Sequence, residues 1–122
     1  MISLVEIAGS RRVTEDAFSV RLALPEDLIW FSGHFPAQPL LPGVAQVEWV
    51  MQFANEWLGS VRLEEIQTVK FVQPVLPRET LELRLRKKEI NETEISLHFE
   101  YLLLQEGIEE TTISLGRLKV MR

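Results

Sequence analysis

Cysteine is absent from this 122-residue chain, which excludes disulfide staples, a thiol nucleophile and a zinc–thiolate centre together. Histidine is scarce: His34 and His98 are too few for a histidine-rich metal site, and neither a metal nor a redox cofactor is expected. A basic excess is also lacking. Thirteen Lys and Arg stand against eighteen Asp and Glu, leaving a formal charge of −5. Nucleic acid is therefore excluded as a partner, because its binding relies on a cationic field that displaces counterions. No apolar run approaches the roughly eighteen residues of a membrane-spanning helix. The opening MISLVEIAGSRR has no basic segment leading an apolar stretch, so no signal peptide is expected and a cytoplasmic location is the default. What remains is 46% hydrophobic and 25% charged, with no low-complexity block or internal repeat, and reads as one globular domain over residues 1–122.

Most of the chain patterns as strand. Residues 2–8 make a short strand, with Arg11 and Arg12 in or near the turn after it. Over residues 17–24, Phe18, Val20, Leu22 and Leu24 share one parity, the mark of a half-buried strand. Pro25-Glu26-Asp27 is a turn, and residues 28–31 lead into a loop around His34. Residues 42–58 form the one clear helix. Pro42 suits its first turn, where a missing N–H costs nothing, and Gly59 suits the left-handed position just past its end. Val44, Val47, Met51, Ala54 and Leu58 make an apolar stripe, but Ala45, Trp49, Val50, Phe53 and Trp57 spread apolar surface around most of the cylinder. A helix of this kind is expected to be wrapped by other structure.

After the helix the period is two. Residues 66–72 precede Pro74 and Pro77; Leu81, Leu83 and Leu85 then alternate with Glu82, Arg84 and Arg86. Ile95, Leu97, Phe99, Tyr101 and Leu103 alternate with Ser96, His98 and Glu100, and Gln105-Glu106-Gly107 is a hairpin loop. In the last strand the apolar parity changes from Ile113 and Leu115 to Leu118 and Val120, and a bulge is expected at Gly116, where the change falls. One long helix and five or six mostly antiparallel strands imply an α+β architecture, a sheet curled around a single central helix.

The chemistry concentrates in WFSGHFPAQPLLPGVAQVE, residues 30–48. Pro36, Pro39 and Pro42 fix φ three times in seven residues and stiffen the loop that carries His34, the residue type best suited to moving protons near neutral pH. The helix start points unpaired N–H groups back toward that loop, and Gly43, with no side chain, lets a ligand oxygen come close to its N–H. Glu48 stands among valines and tryptophan, where its charged form is expected to be disfavoured and its pKa raised. A base, an acid of raised pKa and an oxyanion donor are the parts needed to remove a proton beside a carbonyl and expel a leaving group. That points to β-elimination of water from a 3-hydroxyacyl compound, or the reverse hydration. The same residues are compatible with a structural histidine, a paired or snorkelling glutamate and a tight loop.

Residues 34–48 resemble the active-site signature of the 3-hydroxyacyl-[acyl carrier protein] dehydratases, His-Phe-Pro-Gly-x-Pro, two apolar residues, Pro-Gly-Val, three residues, Glu. His34, Phe35, Pro36, Pro39, Pro42, Gly43, Val44 and Glu48 fall in register with it. A second block, residues 69–81, resembles the family's Lys-Phe-x-x-Pro-Val-x-Pro-Gly-Asp-x-Leu strand through Lys70, Phe71, Pro74, Val75, Pro77 and Leu81. The resemblance implies the hotdog fold, an antiparallel sheet wrapped around one long helix. It also implies roles: His34 acting on the C2 proton, Glu48 of the other subunit handling the departing hydroxyl, and Gly43 N–H holding the thioester oxygen. Phe35, Pro36, Leu40, Val44 and Phe71 would contact substrate. An acyl carrier protein would deliver that substrate on its phosphopantetheine arm to a homodimer, with no metal or other cofactor. Ala37 replaces a family Gly, Gln46 and Trp49 replace smaller or plainly apolar residues, and Arg78-Glu79 stand where Gly-Asp is common. PLLPGVAQVEWV is more similar to the short dehydratases of aryl-polyene clusters than to the housekeeping fatty-acid enzyme.

Elsewhere the reading is plainer. His98 is expected to be exposed, and Trp30, Trp49 and Trp57 to serve core, channel or dimer surface. RLRKK at 84–88, with Arg11, Arg12, Lys119 and Arg122, offers cations for an acidic carrier protein or simply a solvated, protective strand edge. Two alternatives to the dehydratase stand beside it: a hotdog acyl thioesterase, and a non-catalytic acyl-binding subunit of a heterodimer.

Overall fold

The structure, a computed structural model, describes residues 5–25 and 43–122. Seven strands and one helix lie among them: β1 (Val5–Glu6), β2 (Arg12–Val13), β3 (Ala17–Ala23), α1 (Gly43–Leu58), β4 (Arg62–Phe71), β5 (Thr80–Glu89), β6 (Glu94–Gln105) and β7 (Ile108–Met121). All pairings are antiparallel, in the order β1-β3-β5-β6-β7-β4, with β2 set beside β3.

The period-two alternation decides which sheet face is inner. Phe18 pairs with Leu85 and Leu85 with Phe99; Val20 pairs with Leu83 and Leu83 with Tyr101. The expected apolar sets of β3, β5 and β6 are all buried and abut across strands as continuous rows. Each such side chain removed from water contributes about 1.5–3 kcal/mol before the cost of ordering it. Helix α1 covers these rows with Ala45, Gln46, Val47, Trp49, Val50, Phe53 and Ala54. At its end Gly59 takes φ +86° and its N–H bonds Asn55 O at 3.1 Å, the left-handed termination expected there.

Two expectations are corrected. Within the single chain, other structure does not wrap the helix on every side: Val44 is 66% exposed, and Met51 and Leu58 are only half-buried. The helix has more apolar residues than one face can hold. The side with Trp49, Val50 and Phe53 took the sheet, leaving Val44, Glu48, Gln52, Asn55 and Glu56 uncovered in the single chain. Arg12, expected in or near the turn after β1, lies in β2, where its backbone pairs with Ser19.

Last, β7 does pass an extra residue, but not at Gly116. Tyr101 pairs with Ser114 and Leu102 with Thr112, so Ile113 is the surplus residue, and Leu115 faces outward at 40% exposure. Gly116 is in regular register with Phe99 and Val69. A glycine is required there for another reason: a Cβ would lie 2.6 Å from the Thr68 carbonyl oxygen and 2.6 Å from Phe99 Cε2.

Arg11 is half-buried and engaged within the protomer. It bonds Glu6 on β1 and Glu56 on α1 while its guanidinium lies 5.5 Å from the ring centroids of both Phe18 and Phe53. The bond from Arg11 holds the Glu6 carboxyl below its usual range. A cation engaged by two carboxylates and two aromatic faces ties the helix to the sheet end and is not available to a carrier protein.

Candidate active site

The site is best followed from one transverse row of the sheet. Phe71 on β4 pairs with Ser114 on β7, and Ser114 pairs with Tyr101 on β6. The first turn of α1 sits on this row. The Phe71 ring lies against the bare Cα of Gly43, leaving no room for a Cβ there. Gly43 opens a sixteen-residue helix, so its N–H has no partner in the helical ladder and lies at the positive end of the dipole. One turn on, Gln46 is 3% exposed: its Oε1 accepts from Ser114 Oγ at 2.6 Å, and its backbone oxygen accepts from Tyr101 Oη at 2.6 Å. Burial pushes the Tyr101 phenol well above its ordinary pKa, which keeps it a donor at any physiological pH.

This Gln46–Ser114–Tyr101 cluster was not legible as a site in the sequence. Gln46 stands out there only as a polar residue in an apolar run, and Ser114 only as an interruption between Ile113 and Leu115. In the fold they fix the height and rotation of the helix start over the sheet, where apolar contacts alone would allow sliding.

Of the residues expected to act, Gly43 and Phe71 are brought together. Val44 and Glu48, four apart, share the uncovered side of α1. Glu48 is exposed in the single chain, so the apolar company expected for it is not supplied by its own protomer. His34, Phe35, Pro36 and Leu40, and with them Trp30, lie outside the described residues. Trp49 is core, and Trp57 packs on Phe18 while its Nε1 donates to Thr14 O at 3.3 Å. His98 is exposed on the outer face, as expected. Arg78 adopts φ +70°, the conformation for which the resembling pattern has Gly, and its N–H bonds Leu24 O while the Glu79 carboxylate accepts from Leu76 N.

The edge beside the site is apolar and uncovered. Leu63, Ile66, Val69 and Phe71 of β4 pair with inner-face positions of β7, yet are 37–50% exposed in the single chain, although Phe71 meets α1 at Gly43. No strand lies on the other side of β4 among the described residues. A ten-residue edge of this kind requires a cover.

Gly43→Ala separates packing from chemistry. The obstruction is a side chain rather than backbone, and it is 50% exposed in the single chain, so the variant is expected to lose only about 1 kcal/mol of stability. Turnover should fall more than stability, since the displaced ring and the added methyl both crowd the N–H that the signature leads one to expect at the thioester oxygen. Steady-state kinetics beside a thermal melt read the two apart.

Comparison with known proteins shows the family. The family model for the ApeI dehydratases matches residues 10–115. A solved structure from Xenorhabdus doucetiae, the dehydratase heterocomplex ApeI:P, superposes with TM-score 0.83 at 37% identity, covering 99% of this chain and 100% of that one. An uncharacterized protein from Erwinia carotovora subsp. atroseptica gives TM-score 0.79 at 37% identity, over 98% and 96%. The 3-hydroxyacyl-[acyl-carrier-protein] dehydratase FabZ of Methylobacterium nodulans is 40% identical over 68 residues, 47% of this chain and 43% of its own. Its counterpart in Ehrlichia chaffeensis is 34% identical over 88 residues, 64% and 62%. The matched region thus spans roughly half of the curated relatives' length. The architecture is the hotdog fold expected from the signature.

Proposed function

The chain belongs to the ApeI dehydratase family, and from that premise we propose that it removes water from 3-hydroxyacyl thioesters carried on an acyl carrier protein, giving trans-2-enoyl thioesters in fatty acid, lipid or aryl-polyene biosynthesis. His34 takes the C2 proton. The electron pair moves into the thioester carbonyl, and the growing charge on its oxygen is met by Gly43 N–H at the helix end. Glu48 of the partner subunit gives a proton to the C3 hydroxyl, which leaves as water. Phe71 and Val44 flank the acyl portion, together with Phe35, Pro36 and Leu40.

The observation that carries this reading is the contact of Gly43 with Phe71 at one end of the uncovered apolar edge of β4, with Glu48 exposed further along α1. A second copy of the chain laid along β4 would bury that surface and bring its carboxyl into a dry pocket facing the first copy's loop. The site is then completed by a homodimer, and the carboxyl gains from the neighbour the apolar surroundings its own protomer lacks.

The test is incubation of purified protein with a 3-hydroxyacyl thioester. Growth of the conjugated enoyl absorbance is the expected result. Release of free thiol without that absorbance would instead identify a thioesterase. The solved relative described as a heterocomplex favours one further reading, a chain that works only with a different partner. In that case the pure protein would be inert and would gain activity on addition of the second subunit.

A further inference from the structure

The side of the sheet turned away from α1 holds a groove of about 730 Å³, separated by the sheet itself from Gly43 and Glu48. Two transverse rows form its floor. In one, Arg86 pairs with His98 and His98 with Arg117, so two guanidiniums flank an imidazole on three adjacent strands. In the other, Arg12, Ser19, Arg84, Glu100, Leu115 and Lys70 follow strand by strand. Arg12, Lys70, Arg84, Arg86 and Arg117 thus line the groove against one carboxylate, Glu100, in a chain whose net charge is −5.

Some of these cations are already engaged. Arg84 is bound by Glu82 and Glu110, and Arg12 donates to the backbone oxygens of Gly9 and Arg11. Arg86, Arg117 and Lys70 make no ion pair or side-chain hydrogen bond among the described residues. Cations set along one cross-strand row without acids oppose sheet formation rather than help it. Two arginines on strands roughly 10 Å apart, at twice the strand spacing, offer forked donors suited to the oxygens of a phosphorylated ligand.

We propose that this outer groove is a binding site for a phosphorylated small molecule, held by Arg86 and Arg117 with Lys70 and Arg12 at its rims. The volume is that of a small-molecule site, and the concavity suits a compact ligand better than the flat face of a protein. Ala17 and Leu115 leave room for an apolar or aromatic body beside the phosphates. Nucleic acid is disfavoured because the positive field is local to an acidic chain. A second copy packed back-to-back would set the same cations against themselves. The site does not depend on the dehydratase reading.

The test is calorimetric titration with inorganic pyrophosphate and tripolyphosphate, each against sodium chloride of matched ionic strength. Saturable binding with one site per chain is expected, weakened at least about tenfold by Arg86→Ala or Arg117→Ala. Lys88→Ala, on the same strand but outside the groove, should leave it within about twofold. Arg86→Lys keeps the charge and loses the fork, and is expected to bind less tightly than the parent. Without ligand, Arg86→Thr and Arg117→Thr should melt no lower than the parent, a result a structural role would not give. Absence of saturable binding at matched ionic strength, equal weakening by Lys88→Ala, or tighter binding of an oligoglutamate peptide than of tripolyphosphate would overturn the assignment.

Discussion

Glu48→Gln is expected to lower turnover of a 3-hydroxyacyl thioester by at least about a hundredfold, and His34→Ala by a similar factor, the usual contribution of a general acid or base. Stability should hardly move in the Glu48 variant. The side chain is exposed in the protomer and the replacement keeps its shape while removing the titratable proton. A melt coincident with the parent alongside lost enoyl formation is therefore the result that assigns chemistry to this carboxyl. Mixing the two inactive variants adds a geometric test. If each site draws His34 from one chain and Glu48 from the other, half the reassociated dimers contain one intact site, and roughly a quarter of parental activity returns. Sites confined to single chains would give no recovery. Unchanged turnover in both well-folded variants would end the proposed mechanism.

The largest loss of stability is expected from Gly116→Ala, about 3 kcal/mol, or roughly 10 °C in melting temperature. The added methyl meets the Thr68 carbonyl and the Phe99 ring at 2.6 Å each. The ring is 2% exposed and packed in the core, and the carbonyl belongs to the neighbouring strand β4, so neither can yield without opening the β4–β7 ladder or the core. Adding Phe99→Leu should restore only part of the loss, because the carbonyl remains. The contrast with Gly43 is instructive. Both glycines lie against a phenylalanine, but one obstacle is a half-exposed ring and the other is partly backbone. Urea denaturation of the three proteins measures the difference.

Alternation made the sheet legible. On β3, β5 and β6 the apolar residues recur at every second position, one face is dry, and a slip of one residue would invert it, so the buried set could be read directly. The helix was legible as a helix but not in its orientation. Its apolar residues cover two faces, and only the tertiary packing decides that Val50 goes in and Val44 stays out. A parity change marks a bulge only to within a few residues, and Gly116 serves close packing instead. The real surplus residue, Ile113, is apolar and buried and carries no signal of its own. Of the candidate site, Gly43 and Phe71 were legible through the motif. Their direct contact was not, since it depends on the register of β4 against β7. The hydrogen bonds of Gln46 were likewise hidden, because they join residues 55 and 68 positions apart.

The two irregularities in β4 bear on what this edge can tolerate. Leu63 pairs with Val120 and Glu65 with Lys119; Ile66 pairs with Leu118 and Thr68 with Arg117. Glu64 and Gln67 are thus passengers, one in each of two three-residue steps, and they let Leu63, Ile66, Val69 and Phe71 stay in phase although their numbers do not alternate. Loss of either passenger would straighten the strand and keep its greasy side where it is. Loss of Lys70, which has a ladder partner in Leu115, would turn the aromatic ring at its end away from the helix start. This border of the protein therefore has a grammar of length as well as of composition, and a missing letter matters only in certain places.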